Sequence, residues 1–114
     1  MFKIHPKMIG KKFLYKFLTL EIQEDGLKFY SESNPDMGSK YLFENLQYVV
    51  GYPGYDFTYI GDYDHKGNSR DLPEIIGSYI GVRSLDEMFE DESGIKYHYA
   101  LLGQLISDNL TYLK

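Results

Sequence analysis

The dipeptide Asp25-Gly26 does most to restrict the fold, because it divides two runs rich in Phe, Tyr, Leu and Ile, residues 13–24 and 27–32. Asp-Gly between such runs supplies two residues tolerant of positive φ, which a two-residue hairpin turn requires. That turn would pair Glu24 with Leu27 and Ile22 with Phe29. Side chains alternate along a strand, so this register sends Leu18, Leu20 and Ile22 to the core and Glu21, Gln23 and Lys28 to the opposite face.

Further along, residues 34–39 contain Pro35, Asp36 and Gly38 and read as a loop. Residues 41–50 end in Tyr48-Val49-Val50, a β-favouring sequence, and read as a strand. Gly51-Tyr52-Pro53-Gly54 is a turn, after which Tyr55-Asp56-Phe57-Thr58-Tyr59 alternates aromatic with polar, as a half-buried strand does. Residues 64–71 read as a loop or hairpin tip. Gly77 and Gly81 argue against a long helix over 72–82, which reads instead as a short turn and a short strand.

Helix enters in the last third. Ser84-Leu85-Asp86-Glu87 matches a capping box, with Leu85, Met88 and Phe89 as the apolar stripe of a short helix that Gly94 ends. Residues 95–113 form a longer helix with Leu101, Leu102, Leu105, Ile106, Leu110 and Leu113 along one side, and Leu102 and Ile106 are expected to be buried. The expected fold is α+β: a small antiparallel β-sheet with a short helix and a longer C-terminal helix packed on one face. It forms one domain over 1–114, with a flexible basic leader over 1–12.

The chain has no cysteine, hence no disulfide framework and no thiolate zinc site, which suits a reducing, cytoplasmic location. Lys16 and Glu21 interrupt the apolar stretch 13–22 and no small-residue cleavage site follows, so it does not read as a secretion signal. No stretch is apolar enough to span a membrane. Net charge is −5, and Lys3, Lys7, Lys11, Lys12 and Lys16 precede the first acidic residue, which leaves −10 on the remainder. A nucleic-acid binder needs cations clustered on a folded face, and the only arginines are Arg70 and Arg83, so neither nucleic acid nor membrane is an expected partner. A single alanine, Ala100, among abundant Tyr, Phe, Ile, Asn and Lys is the imprint of an AT-rich coding sequence.

The densest polar chemistry lies in Gly61-Asp62-Tyr63-Asp64-His65-Lys66-Gly67-Asn68. It opens like a calcium loop, but Lys66 stands where a third oxygen ligand belongs, and Pro73 occupies the closing position with Glu74 one residue too late. A solvated acidic turn without metal or other cofactor is expected. His65 beside Asp62 and Asp64 also offers a titratable base with carboxylates to orient it, provided a turn gathers the three. His98 falls on the apolar side of the last helix near Asn109 and reads as a hydrogen-bonded structural residue, while His5 meets solvent. No nucleophile elbow or phosphate-binding glycine loop is present.

Tyrosine is the unusual feature. Among its twelve copies, Tyr41, Tyr48, Tyr52, Tyr55, Tyr59 and Tyr63 crowd one stretch together with Phe43 and Phe57. Tyrosine offers large contact area at low entropic cost, with a hydroxyl for the wet rim of an interface. A second surface feature is the acidic run Asp86, Glu87, Glu90, Asp91 and Glu92. The expectation is a small acidic interaction module that binds a protein with a basic surface, of the inhibitor, toxin-immunity or phage counter-defence type. Tyr52, Tyr55, Asp62, Tyr63, Asp64 and His65 form its contact surface, and a homo-oligomer is compatible with it. The alternative is a small hydrolase or ligand-binding enzyme using Asp62, Asp64 and His65.

Overall fold

The computed structural model describes residues 1–50, 58–81 and 87–114. Along the chain these form β1 (Phe2–Ile4), β2 (Lys12–Tyr15), β3 (Leu18–Ile22), β4 (Gly26–Ser31), β5 (Asn34–Leu42), β6 (Gln47–Val50), β7 (Thr58–Tyr63), β8 (Ser69–Asp71), α1 (Leu72–Ile80), β9 (Met88–Asp91), β10 (Lys96–His98), α2 (Tyr99–Asp108) and β11 (Leu110–Tyr112). Short 3₁₀ turns occupy Pro6–Met8 and Phe43–Asn45. Every strand pairing among the described residues is antiparallel. A six-stranded sheet runs β10-β9-β2-β3-β4-β5, a three-stranded sheet β6-β7-β8 and a two-stranded sheet β1-β11. The fold is mixed α+β, and its main sheet is larger than the small one expected.

The Asp25 region builds antiparallel strands with one more turn than expected. Residues 13–24 are two strands, broken at Lys16-Phe17, where Lys16 adopts φ 52° and Tyr15 pairs with Leu18. Neither residue is a customary turn former, so the break leaves no mark in the sequence. Ile22 pairs with Leu27 and Leu20 with Phe29, two residues from the expected register. An even shift keeps each side chain on its own face, so Leu20, Ile22, Leu27 and Phe29 are still buried. Gly26 belongs to β4, where a Cβ would collide with the Tyr41 carbonyl oxygen.

Residues 34–39 are strand, not loop. They belong to β5, an edge strand whose register against β4 jumps between Phe29 and Ser31. Pro35 is tolerated there because an edge strand with a bulge leaves its missing N–H without a required acceptor.

The helices are also redistributed. Residues 72–80 form α1 instead of a turn and strand. The Asp71 carboxylate accepts from Glu74 N at 2.8 Å, and Glu74 Oε1 accepts from Asp71 N at 3.4 Å, a reciprocal cap. The two glycines that spoke against a helix have separate uses: Gly77 lies 3.6 Å, measured from an ideal Cβ, from the Tyr99 ring, and Gly81 ends the helix at φ 73°.

Ser84 to Asp86 of the expected capping box lie outside the described residues, while Met88 and Phe89 are in β9, so the short helix expected there is a strand. Gly94, at φ 88°, closes a β9–β10 turn in which Asp91 Oδ1 accepts from Ser93 N and Ile95 N, both at 2.9 Å. The long helix expected over 95–113 shrinks to α2, because β10 and β11 claim its ends. Leu102 and Ile106 are fully buried as expected, whereas Leu101 and Leu113 are exposed.

The leader packs into the fold. His5 N donates to Asn109 O at 2.8 Å, β1 pairs with β11, and Phe2, Ile4 and Met8 join the same buried cluster as Phe13, Leu27, Ile75 and Leu102. Each such side chain withdrawn from water contributes roughly 1.5–3 kcal/mol before entropy is counted. Among the described residues, no helix is long and apolar enough to cross a membrane.

Candidate functional site

The acidic cluster forms the β7–β8 hairpin, as its glycine and polar residues suggest. Asp64 N donates to Asn68 O at 2.8 Å, and Asp64 Oδ1 accepts from Lys66 N and Asn68 N, both at 2.9 Å. The Asn68 backbone N–H is the main reason that the Asp64 carboxyl is held below its ordinary pKa. Gly67 completes the tip at φ 85°.

Asp62 turns the other way. It is 7% exposed, and directly across the ladder Arg70 grips it with Nε on Oδ1 and Nη2 on Oδ2, both at 2.8 Å. The Tyr41 hydroxyl donates to Oδ2 at 2.6 Å, so this cluster ties β5 of the main sheet to the β7–β8 hairpin. Burial, then the bond to Asp62, pushes the Tyr41 phenol far above its usual range, and the Asp62 contact raises the Arg70 guanidinium. Planar two-pronged pairing of this kind suits holding two elements in register. With both oxygens engaged inward, Asp62 does not orient the exposed His65.

The six expected contact residues therefore part company. Tyr52 and Tyr55 lie outside the described residues. Asp62 is inside, Asp64 braces its own turn, and Tyr63 and His65 are exposed around the hairpin tip.

A surface that the sequence reading missed lies where the chain ends meet. Phe2 sits 5.0 Å from the Tyr48 ring and 5.2 Å from the Tyr112 ring, and those two rings are 5.7 Å apart. Phe2 is buried, but Tyr48 is 53% and Tyr112 47% exposed. A groove of about 690 Å³ also borders the β1–β11 ribbon, with Phe2, Leu42, Met1 and Leu113 supplying apolar wall and Glu24, Asp25, Glu44 and Lys3 the charge; neither Tyr48 nor Tyr112 lines it, and Lys3 alternates with Phe2 to the other face of the ribbon. Met1 and Leu113 are laced together by backbone bonds of 2.7 and 2.8 Å. Tyr48 pairs with Ile60, and Ile60 alternates with Gly61, Asp62 and Tyr63, so Tyr48 and Tyr63 leave the three-stranded sheet on opposite faces.

The acidic run is also divided. Glu87 accepts the Tyr15 hydroxyl and a Lys16 Nζ contact at 3.4 Å, and its acceptance is the main reason the Tyr15 phenol is raised. Glu90, Asp91 and Glu92 join Glu32, Lys12, Leu14 and Thr19 around a shallow hollow of about 320 Å³. Asp86 lies outside the described residues.

His98 stands at the end of β10, not within α2 beside Asn109, and its buried Nδ1 meets no hydrogen-bond partner among the described residues. His5 is exposed, its Nδ1 accepting from Lys7 N at 3.0 Å. Among the described residues, no three His, Asp or Glu side chains gather as metal ligands. No protein-family model matches this chain, and neither a curated protein nor a solved structure matches it.

Proposed function

We propose that this protein acts by binding another protein, through the surface made by Tyr48 and Tyr112 over the buried Phe2 ring. The observation that carries the reading is the three-ring cluster, in which one ring is sunk in the core and two remain half exposed. A buried ring beneath two exposed ones fixes their position without covering them, which prepares rigid amphipathic anchors. Neighbouring exposed aromatic rings of this kind suit an interaction site on a free protein.

The acidic body favours a partner with a basic surface and speeds its approach. In this reading the protein is an inhibitor, an immunity factor or a counter-defence factor working in the cytoplasm. The architecture that serves it has α1 and α2 on one face of the main sheet. The stacked Phe29 and Tyr79 rings, 4.6 Å apart, and the single core cluster support that arrangement.

Affinity capture from cells of the protein's source, run in parallel with wild type and a Tyr48→Ala/Tyr112→Ala variant, tests the reading. Specific partners should be recovered with wild type and lost with the variant, both baits being folded by circular dichroism. Equal recovery by both baits would remove this surface from consideration.

A further inference from the structure

We infer that a proline-rich segment of the partner, in the polyproline II conformation, lies across the Tyr48 and Tyr112 rings. This rests on the interaction reading above and adds the chemistry of the occupant.

Ring geometry restricts the occupant first. The two rings are 5.7 Å apart and tilted by 54°, so they touch and leave no slot between them for an inserted side chain. Phe2 meets both in T-shaped contacts from beneath, at 5.0 and 5.2 Å, and closes that side. A ligand therefore lies over the pair. An added β-strand finds little to pair with, because β6 has four residues and β11 three, and only alternate residues of an edge strand aim their N–H and C=O outward.

A polyproline II helix suits two such rings. Two of every three of its residues can face one surface, and residues two apart advance about 6 Å along the axis, close to the separation of the rings. Pyrrolidine rings pack well on aromatic faces, and the conformation exists before binding, so little ordering entropy is lost.

Hydrogen bonding points the same way. Both tyrosines are about half exposed, and neither hydroxyl has a hydrogen-bond partner among the described residues, so each can donate. The polyproline II backbone makes no internal hydrogen bonds and proline lacks the N–H, so such a segment offers carbonyl acceptors with few competing donors.

The test titrates the intact protein with decaproline and, as control, with a decapeptide alternating glycine and serine, followed by chemical shifts of backbone amides and tyrosine ring protons. Decaproline should bind with a Kd of about 1 mM or tighter, shifting the ring protons of Tyr48 and Tyr112 and the amides of β6 and β11, while the control shifts none. Tyr48→Ala/Tyr112→Ala, folded by its amide dispersion, should abolish these shifts. Tyr48→Phe/Tyr112→Phe, which keeps the rings, should weaken binding roughly fivefold, as expected for two partly exposed hydrogen bonds. Tyr63→Ala should leave it unchanged. Equal binding of both peptides, shifts centred on Tyr63, unchanged affinity in the phenylalanine variant, or no binding at about 1 mM would each overturn the inference. If decaproline fails yet the captured partner still depends on Tyr48 and Tyr112, the occupant is wrong and the interaction reading stands; if neither holds, both fall.

Discussion

Two populations of tyrosine divide this molecule. Tyr15, Tyr30 and Tyr41 are buried, and each donates its hydroxyl to a carboxylate: Glu87, Glu21 and Asp62 respectively. Tyr48, Tyr63 and Tyr112 are about half exposed, and their hydroxyls meet no partner among the described residues. The same side chain thus serves two ends. Where the ring enters the core, the hydroxyl must be satisfied and an acid is placed to do so. Where the ring lies at the surface, its hydroxyl remains for water or a partner.

The contrast is open to attack, beginning with the largest expected effect. Arg70→Leu strands the Asp62 carboxylate in a nearly buried position and should cost roughly 3–5 kcal/mol in urea unfolding. A loss below about 1 kcal/mol would show that the cluster does not hold the sheets together. Tyr41→Phe removes one hydrogen bond to that carboxylate and leaves Arg70 in place, so about 2 kcal/mol is expected.

Tyr41 also gives the contrast a pH signature. An unfolded tyrosine loses its proton near pH 10, whereas folded Tyr41 retains its own because burial and Asp62 disfavour the phenolate. Above that pH the folded state binds more protons than the unfolded one. The Tyr41 contribution is therefore complete below about pH 10 and declines as pH rises further. Tyr41→Phe should flatten this part of the alkaline decline. Equal alkaline slopes for wild type and Tyr41→Phe would erase the distinction. Smallest of all, Tyr48→Ala and Tyr112→Ala should each cost only about 1 kcal/mol, the worth of a ring contact.

The sequence disclosed local signals and concealed distant ones. The antiparallel strands around Asp25, the hairpin tip at Lys66-Gly67-Asn68 and the burial of Leu102 and Ile106 were legible, because alternation, turn chemistry and helical spacing act over a few residues. Gly77 and Gly81 misled because one packs beside Tyr99 and the other ends the helix, neither of which a propensity scale records. Lys16-Phe17 turns without a customary turn residue, and Asp91 with Gly94 reads equally as a helix end or a hairpin.

The candidate surface was the least legible part. It depends on β1 pairing with β11 across the whole chain, and both segments had been assigned elsewhere, one to a loose leader and one to a helix. Tyr48 stood out in the tyrosine-rich stretch, but only tertiary contact with Phe2 and Tyr112 separates it from the buried Tyr41. Asp62 misled in the opposite direction: its acidic neighbours suggest a surface, while Arg70 across the hairpin draws it inside.

The most direct test of this division is the affinity of the captured partner for three folded variants, measured by surface plasmon resonance beside their melting temperatures. Tyr48→Ala/Tyr112→Ala should weaken binding at least tenfold, about 1.4 kcal/mol or more, chiefly through faster dissociation. Tyr41→Phe should lower the melting temperature yet bind with wild-type affinity where folded. Tyr63→Ala should change neither. Unchanged affinity in the Tyr48→Ala/Tyr112→Ala variant, with binding lost instead in Tyr63→Ala, would contradict the account and place the interface at the β7–β8 hairpin.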